Sequence, residues 1–189
     1  MKPPRQLPLK FPEPKLGRDD FILTEANRGP VEAALKPALW PYHVFCLIGP
    51  RGSGLSTLCD IWAVECDGLR LTAKDLDKMK PAQAAELSSG RVVVDEADAV
   101  RNEQALLLLI SAVDRLGGRL LLTGHTPPIQ WKAATKDLAS RLQAAPLAQI
   151  GPPDEAMMRA RLQAVAKAQF MKMPKAVEDY LLIRIGLRY

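Results

Sequence analysis

An apolar segment that runs directly into a glycine-rich loop restricts the fold of this chain more than any other feature. The segment HVFCLIG, residues 43–49, combines β-branched and aromatic residues and is typical of a buried strand. The loop GPRGSGLST, residues 49–57, follows at once. Beyond it, the apolar residues of LSTLCDIWAVE, residues 55–65, recur with helical spacing. The sequence therefore predicts a strand, a tight loop and a helix in immediate succession.

The same alternation of strand and helix continues along the chain. Further apolar strands are predicted at 68–72, 91–98, 119–124 and 147–151. A helix is predicted at 103–117, where Gly117 and Gly118 end it. Apolar strands that alternate with helices form a parallel sheet that is covered on both faces. We therefore expect an α/β fold, a P-loop module with a five-stranded parallel sheet between helices.

The two ends of the chain differ from this central pattern. Residues 1–17 contain five prolines, which favour an extended, solvated arm. After residue 152 no strand pattern remains, and helices are predicted at about 153–169 and 174–185. The predicted organisation is a flexible arm at 1–17, an α/β core at 18–151 and a partial helical lid at 152–189.

The composition is that of a soluble protein with one main domain. The chain has 189 residues, of which 48% are apolar and 25% charged. It has no apolar run that could span a bilayer and no signal-peptide pattern, so we expect a cytoplasmic protein. The three cysteines lack C-x-x-C spacing and are expected to be buried thiols and not zinc ligands. The net charge of +5 is scattered, which does not favour direct DNA binding.

The glycine-rich loop has the spacing G-x-x-x-x-G-K-[ST] of a phosphate-binding P-loop, but Leu55 stands at the lysine position. In such a loop, backbone N–H groups and the start of the following helix bind phosphate. The candidate nucleotide-binding residues are Gly49, Arg51, Gly52, Ser53, Gly54, Leu55, Ser56 and Thr57. Loss of the lysine removes a charged hydrogen bond of about 1.5–3 kcal/mol. It should reduce turnover more than binding, with Arg51 as a partial substitute. A glycine turn with no ligand is the alternative.

Acidic and polar residues follow two other predicted strands. VVVDEAD places Asp95 and Glu96 at a strand end, the arrangement of a Walker B motif. There Asp95 would hold Mg²⁺ through water, with Ser56 as a further ligand, and Glu96 would orient the attacking water; a solvated acidic turn is the alternative. LLLTGHTPP places Thr123 and His125 at another strand end, where phosphates would lie. His125 fits an ordinary surface histidine equally well.

The stretch KDLASRLQ, residues 136–143, holds Arg141 on an amphipathic turn between two leucines. An exposed arginine anchored in this way can reach the nucleotide of a neighbouring subunit. Such a finger raises the rate of hydrolysis by about a thousandfold or more. A solvated surface arginine is the alternative.

The order and spacing of these segments carry a specific resemblance. DDFILTEAN, GPRGSGLST, VVVDEAD, LLLTGHTPP and DLASRL together resemble the AAA+ module of the bacterial replication initiator DnaA, and most closely the Hda family of short DnaA homologues. The resemblance covers the chain from about Leu16 onward. It implies that Asp20, Phe21 and Asn27 border the adenine of ADP or ATP bound with Mg²⁺, and that Arg141 acts as a finger in trans. With its lysine replaced, the chain is not expected to be an efficient ATPase itself.

Within the arm, QLPLKF resembles the peptide with which bacterial proteins bind the replication sliding clamp. An extended chain places Leu7, Leu9 and Phe11 on one side, and Gln6 supplies a polar anchor. The prolines lower the entropy lost when the arm becomes ordered. The predicted partners are therefore the sliding clamp and DnaA, with DNA contacted through the clamp and no membrane; formation of a homodimer stays open.

Three functions fit these residues. The first is a clamp-bound regulator of replication initiation that stimulates hydrolysis of DnaA-bound ATP and so inactivates the initiator. The second is an active AAA+ ATPase or loader motor, against which Leu55 argues. The third is a non-catalytic scaffold that bridges the clamp to another partner, against which the retained Arg141 argues. We expect the first.

Overall fold

Five parallel strands form one sheet in a computed structural model that describes residues 17–18, 21–86 and 90–185. In chain order the strands are β1 Val44–Ile48, β2 Gly68–Thr72, β3 Arg91–Asp95, β4 Arg119–Gly124 and β5 Leu147–Gln149. Each of them lies within a predicted strand. The predicted α/β fold with a five-stranded parallel sheet is confirmed.

The strands lie in the order β2-β3-β4-β1-β5, which puts β1 between β4 and β5. The register places Val44 opposite Leu120 of β4, and Cys46 opposite Leu147 of β5. Because the strands are parallel, their carboxyl ends share one edge of the sheet. The loops that follow β1, β3 and β4 are therefore neighbours in space although they are far apart in sequence.

Eight α-helices accompany the sheet within the described ranges. They are α1 Arg28–Ala34, α2 Leu55–Glu65, α3 Ala73–Lys78, α4 Pro81–Glu86, α5 Glu103–Leu116, α6 Lys136–Ala144, α7 Glu155–Ala168 and α8 Lys175–Ile185. The sequence predicts α2, α5, α7 and α8 to within two residues, and α6 as a short amphipathic stretch. It misses α1, α3 and α4, because six or seven residues are too few to show a helical period. None of the helices described is long and apolar enough to cross a membrane.

Helices cover both faces of the sheet. Alternate side chains of each strand point to opposite faces, so each strand packs on both sides. One set packs under α5 and α6, and includes Val44, Cys46, Val92, Val94, Leu120 and Leu122. The other packs with α1 and α2, and includes Phe45, Leu47, Val93 and Leu121. Burial raises the pKa of the Cys46 thiol to about 12, and all three cysteines are buried and unpaired, as predicted. The middles of β1, β3 and β4 leave no room for polar chemistry, which is confined to the strand ends.

The helices α7 and α8 form the helical appendage, and a cluster of charged groups joins them. Arg159 Nη1 of α7 lies 3.3 Å from Glu178 Oε1 and 2.7 Å from Asp179 Oδ1 of α8. Gln163 Nε2 donates to Glu178 Oε2 at 2.8 Å. Glu178 is buried, so these partners satisfy a carboxylate that would otherwise be costly to remove from water.

Asp154 connects the start of α7 to the segment that precedes α1. Its Oδ1 accepts a hydrogen bond from the backbone N–H of Met157 at 2.7 Å and thereby caps α7. Its Oδ2 accepts from the backbone N–H of Ala26 at 3.3 Å. These bonds lower the pKa of Asp154, the bond from Met157 most strongly. One carboxylate therefore both begins the appendage and holds it against the core.

We expect Asp154→Ala to lower the free energy of unfolding by about 1 kcal/mol, the usual cost of losing a helix N-cap. Because the pKa of Asp154 is lowered in the folded protein, its stabilisation is present above the pKa of the unfolded chain. It is lost as the pH falls through the folded value. Urea unfolding of parent and variant should therefore differ at neutral pH and converge at acidic pH. Asp154→Asn keeps an acceptor and is the control; a loss equal to that of the alanine variant would contradict the capping role.

Candidate functional site

The loop between β1 and α2 turns on two glycines. Gly52 and Gly54 have φ of +83° and +87°, in the left-handed region that glycine favours. A β-carbon on Gly54 would lie 2.9 Å from Cε2 of Phe21. Gly54 is also the N-cap residue of α2, a helix that no side chain of the described residues caps. The first N–H groups of α2 are therefore available to an anion, as in a phosphate-binding loop.

The loop lines a cavity of about 400 Å³ at the carboxyl edge of the sheet. The lining residues are Pro50, Arg51, Gly52, Ser53, Gly54, Leu55, Ser56, Thr57, Glu96, His125 and Arg161. All of them except Pro50 and Arg161 are residues that the sequence predicts for a nucleotide site. The order of the strands brings them together, because the loops after β1, β3 and β4 share this edge.

Leu55 supplies no charge to the cavity. Its side chain is 5% exposed and packs in the apolar core beneath α2, with Leu58 and Trp62. Positive charge comes from Arg51, which is exposed in the loop, and from Arg161, which is half-buried on α7. Arg161 is not predicted from the sequence, since no motif marks it and only the packing of α7 brings it to the loop.

Ser53 carries a buried polar atom that needs a partner. Its Oγ has no hydrogen bond to any residue that the structure describes. A buried hydroxyl without a partner costs about 1–3 kcal/mol. Gly49 lies close beside it, because a β-carbon on Gly49 would be 2.7 Å from Ser53 Oγ. The hydroxyl is therefore enclosed by the loop itself.

Asp95 lies at the end of β3, and each of its oxygens has a partner within the protein. Its Oδ2 is 2.7 Å from Nη2 of Arg70, on the neighbouring strand β2. Its Oδ1 accepts a hydrogen bond from Thr123 Oγ1, on β4, at 3.2 Å. Asp95 and Thr123 are both buried. These contacts satisfy the carboxylate from within the protein.

Direct coordination of a magnesium ion by Asp95 does not fit these contacts. Mg²⁺ requires oxygen ligands in near-octahedral geometry at about 2.0–2.1 Å, and it is held by carboxylates, phosphates and water. One oxygen of Asp95 faces a guanidinium and the other a hydroxyl, so a metal bound directly to Asp95 would have to displace one of these groups. Ser56 lines the cavity and is exposed.

Glu96 lies at the cavity, unlike Asp95. It is exposed, and its backbone has φ of 57° and ψ of 41°, a left-handed conformation. That conformation costs a non-glycine residue roughly 1–2 kcal/mol. A short 3₁₀ turn, Ala97–Ala99, follows directly, with Ala99 N–H donating to Glu96 O at 2.8 Å. This sharp turn separates the two acids, so that one is buried in the sheet and the other borders the cavity.

His125 follows β4 and links the ends of two strands. Its Nδ1 is 2.9 Å from the carbonyl oxygen of Gly49, which can only accept, so Nδ1 carries the hydrogen. The backbone N–H of His125 donates to Asp98 Oδ2 at 2.8 Å. In a neutral ring, Nε2 is therefore an acceptor at the cavity. The histidine is a positioned group of the strand ends and not a solvated surface residue.

The segment that the resemblance places beside adenine lies next to the loop. The ring of Phe21 packs on Gly54. Asn27 is buried, and its amide closes a local turn: Oδ1 accepts from the N–H of Thr24 and Nδ2 donates to the carbonyl of Ile22, both at 2.9 Å. Asn27 thus shapes the segment that carries Phe21. Asp20 lies outside the described residues, as do the arm residues Gln6, Leu7, Leu9 and Phe11.

Arg141 lies at the opposite edge of the sheet from the cavity. It stands in the last turn of α6, just before the amino end of β5. Burial lowers the pKa of His43, which precedes the amino end of β1, and the nearby charge of Arg141 lowers it further. The P-loop, by contrast, follows the carboxyl end of β1. A strand of five residues separates the two ends by roughly 16 Å, at about 3.3 Å per residue.

Arg141 is partly exposed and is paired with an acid of its own helix. Its Nε donates to Asp137 Oδ1, four residues earlier in α6, at 2.8 Å, and its side chain is 28% exposed. The bond to Asp137 is also the main cause of the raised pKa of Arg141. The two terminal nitrogens donate to no residue in the described part of the chain. Arg141 is therefore restrained at Nε while its terminal nitrogens stay available.

Solved structures of DnaA share this fold. DnaA bound to AMPPCP and single-stranded DNA aligns with a TM-score of 0.74 at 17% identity, over 95% of this chain and 62% of that one. AMPPCP-bound DnaA from Aquifex aeolicus gives 0.72 at 19% identity, over 92% and 61%. Domain III of Thermotoga maritima DnaA gives 0.70 at 16% identity, over 86% and 78%.

The likeness establishes a DnaA-like AAA+ fold. A variant of RuvB from Thermotoga maritima shares it more distantly, with a TM-score of 0.60 at 20% identity over 87% of this chain and 57% of that one. The chain spans about three fifths of the length of the two AMPPCP-bound DnaA chains. No family model matches the chain, and no curated protein matches it.

We expect Gly54→Ala to lower the free energy of unfolding by about 1–2 kcal/mol, because its left-handed backbone disfavours a β-carbon. The added carbon would also meet the Phe21 ring at 2.9 Å. Gly29→Ala is the matched control: Gly29 lies in α1, and a β-carbon there meets nothing within 4 Å. That variant should keep the stability of the parent or exceed it by up to about 1 kcal/mol. Urea unfolding compares the two, and equal effects would show that the loop does not require glycine.

Proposed function

We propose that this protein is an Hda-like regulator of bacterial DNA replication initiation, which binds the sliding clamp and stimulates hydrolysis of DnaA-bound ATP. The observation that carries the proposal is the position of Arg141 in a DnaA-like fold, at the sheet edge opposite the chain's own P-loop cavity. From there its guanidinium cannot reach a nucleotide in its own cavity. A nucleotide that it assists must belong to another molecule.

The contacts of Arg141 suit this role. A helical ion pair between residues four apart contributes only about 0.3–0.5 kcal/mol, so the bond from Nε to Asp137 is easily exchanged for a phosphate. Before a phosphate binds, the bond to Asp137 limits the rotamers of the long Arg141 side chain. The free terminal nitrogens present the planar pair of donors that binds phosphate oxygens. The guanidinium is thus held close to the geometry that a partner's nucleotide would require.

The chain's own cavity is better suited to holding a nucleotide than to hydrolysing it. Loop N–H groups, Arg51 and Arg161 offer contacts to the phosphates of ADP or ATP, and Phe21 offers an apolar surface beside the loop. Hydrolysis also needs charge neutralisation in the transition state, which the P-loop lysine and a metal normally supply. Leu55 carries no charge in place of the lysine, and Asp95 is paired with Arg70 and not with a metal. An efficient ATPase or loader motor is therefore disfavoured.

In the proposed function, the arm brings the protein to the sliding clamp on DNA. A clamp-binding peptide on an arm concentrates the AAA+ core near DNA that carries a loaded clamp. Tethering raises the effective concentration of two weakly interacting partners to the millimolar range without any new contact between them. A modest affinity between this core and DnaA would then be sufficient, and stimulation would depend on replication having begun.

We expect replacement of Gln6, Leu7 and Leu9 by alanine to abolish co-elution with the sliding clamp, because the peptide loses its polar anchor and two apolar contacts. The fold should be unaffected, and circular dichroism checks this. A matched variant, Lys2, Lys10 and Lys15 to alanine, removes charges from the same arm and should keep clamp binding. Full binding by the first variant would refute the role of the arm.

We expect Arg141→Ala to remove most of the stimulation of DnaA-bound ATP hydrolysis, by about a thousandfold if the finger accounts for the whole effect. Single-turnover hydrolysis by ATP-loaded DnaA, with clamp loaded on DNA, measures it. Clamp binding and melting temperature should be nearly unchanged, since an exposed helical ion pair contributes about 0.3–0.5 kcal/mol.

Arg28→Ala is the matched control for this experiment. Arg28 is a half-exposed helical arginine paired with Glu25 and Glu32 at 3.7 and 4.0 Å, and it lies on α1. The control variant should stimulate hydrolysis like the parent. An Arg141→Ala variant that did the same would favour a scaffold that bridges the clamp to another partner.

A further inference from the structure

An ion pair between the half-buried Arg70 and the buried Asp95 occupies the carboxyl end of β3. Arg70 on the edge strand β2 places Nη2 2.7 Å from Oδ2 of Asp95, whose side chain is 7% exposed. The strand register explains this contact. Arg70 lies opposite Val93, two residues before Asp95 on the adjacent strand, so its long side chain runs along the sheet to the carboxylate.

Two further groups hold this pair in place. Thr123 Oγ1 donates to the second oxygen of Asp95, Oδ1, at 3.2 Å. On the other side, Arg70 Nε lies 3.1 Å from Oδ1 of Asp60 on α2. Arg70 therefore lies between two carboxylates, although its Nε makes no hydrogen bond to any residue that the structure describes. Asp95 is enclosed between a cation on β2 and a hydroxyl on β4.

Replacing the guanidinium by a metal would be costly. Removing the guanidinium would leave the buried carboxylate of Asp95 without its cation, a larger penalty than the loss of a pair in which both partners are exposed. A metal at Asp95 would have to displace Arg70, whose charge cannot be removed by deprotonation. The guanidinium is already present in every folded molecule, so it has no entropy of association to lose.

We propose that Arg70 permanently takes the place of a divalent metal at Asp95, and that the P-loop cavity therefore binds ADP or ATP independently of magnesium. This inference rests on the nucleotide binding proposed above. The phosphates then meet the loop N–H groups and the two guanidinium groups that line the cavity, Arg51 and Arg161. Guanidinium groups bind phosphate oxygens through paired N–H donors and need no metal to do so.

Calorimetric titration of ADP and ATP into the parent protein tests this directly, once with MgCl2 and once with EDTA. We expect the two values of Kd to agree within about threefold, well below the tenfold that corresponds to 1.4 kcal/mol. A Kd that rises by more than about tenfold in EDTA overturns the inference and leaves the nucleotide site intact. No binding in either buffer overturns the nucleotide site and the inference together, but leaves the role of Arg141 to its own experiment.

For the Arg70→Met variant we expect the opposite result, a nucleotide affinity that depends on magnesium. Loss of the guanidinium frees Asp95 for a metal, so nucleotide affinity in MgCl2 should exceed that in EDTA by about tenfold or more. The double variant Arg70→Met/Asp95→Asn is the matched control, because it removes both charges and should bring this ratio back to about one. An Arg70→Met variant that binds nucleotide equally in both buffers overturns the inference.

A second measurement on the parent covers the case in which Arg70→Met does not fold. The electron paramagnetic resonance signal of Mn²⁺ reports whether the protein binds the ion together with ADP. We expect the fraction of bound Mn²⁺ with ADP and protein to equal that with ADP alone. Additional binding in the presence of protein overturns the inference.

Discussion

Burial of β1, β3 and β4 on both faces is the constraint on which the rest of the structure depends. Side chains in the middles of these strands pack on helices above and below, so polar groups are confined to the two edges of the sheet. The carboxyl edge collects the P-loop, Glu96 and His125 into one cavity. The amino edge holds Arg141 at the end of α6. The sheet that forms the core thus also keeps this arginine away from the chain's own cavity, and a separation of that kind suits a group that acts on another molecule.

The strands and the P-loop are local patterns, and for that reason the sequence predicts them well. HVFCLIG before GPRGSG needs no knowledge of the rest of the chain. The order of the strands is different, because an apolar run does not reveal its neighbours. Arg70 illustrates the consequence: within GLRLT it looks like the solvated member of an alternating strand, and only the pairing of β2 with β3 brings it to Asp95. Arg161 likewise cannot be recognised in the sequence, because only the packing of α7 brings it to the loop. Asn27, which the resemblance places in the segment beside adenine, also closes a turn of that segment, and its hydrogen bonds are not evident from the sequence.

Leu55 and Arg70 affect the same property of the cavity. A P-loop lysine and a magnesium ion both place positive charge where the transferring phosphoryl group develops negative charge. This chain has an apolar side chain at the first position and a neutralised carboxylate at the second. Arg51 and Arg161 can still bind phosphates, but contacts that are equally strong in the ground state and the transition state lower Kd without accelerating the reaction. The two changes are therefore consistent with each other: a cavity that only holds a nucleotide has no use for either the lysine or the metal.

The bond between Asp137 and Arg141 has to be reconciled with a finger that acts on a partner. A guanidinium in a strong buried pair would not leave it, but this pair is partly exposed and lies within a single helix, so its loss costs little. In the proposed role, a triphosphate carries several negative charges against the single charge of Asp137, and it would bind the two terminal nitrogens, which the carboxylate does not occupy. The phosphate can therefore engage Arg141 before the bond at Nε breaks. Asp137 restrains the arginine without competing for the donors that matter.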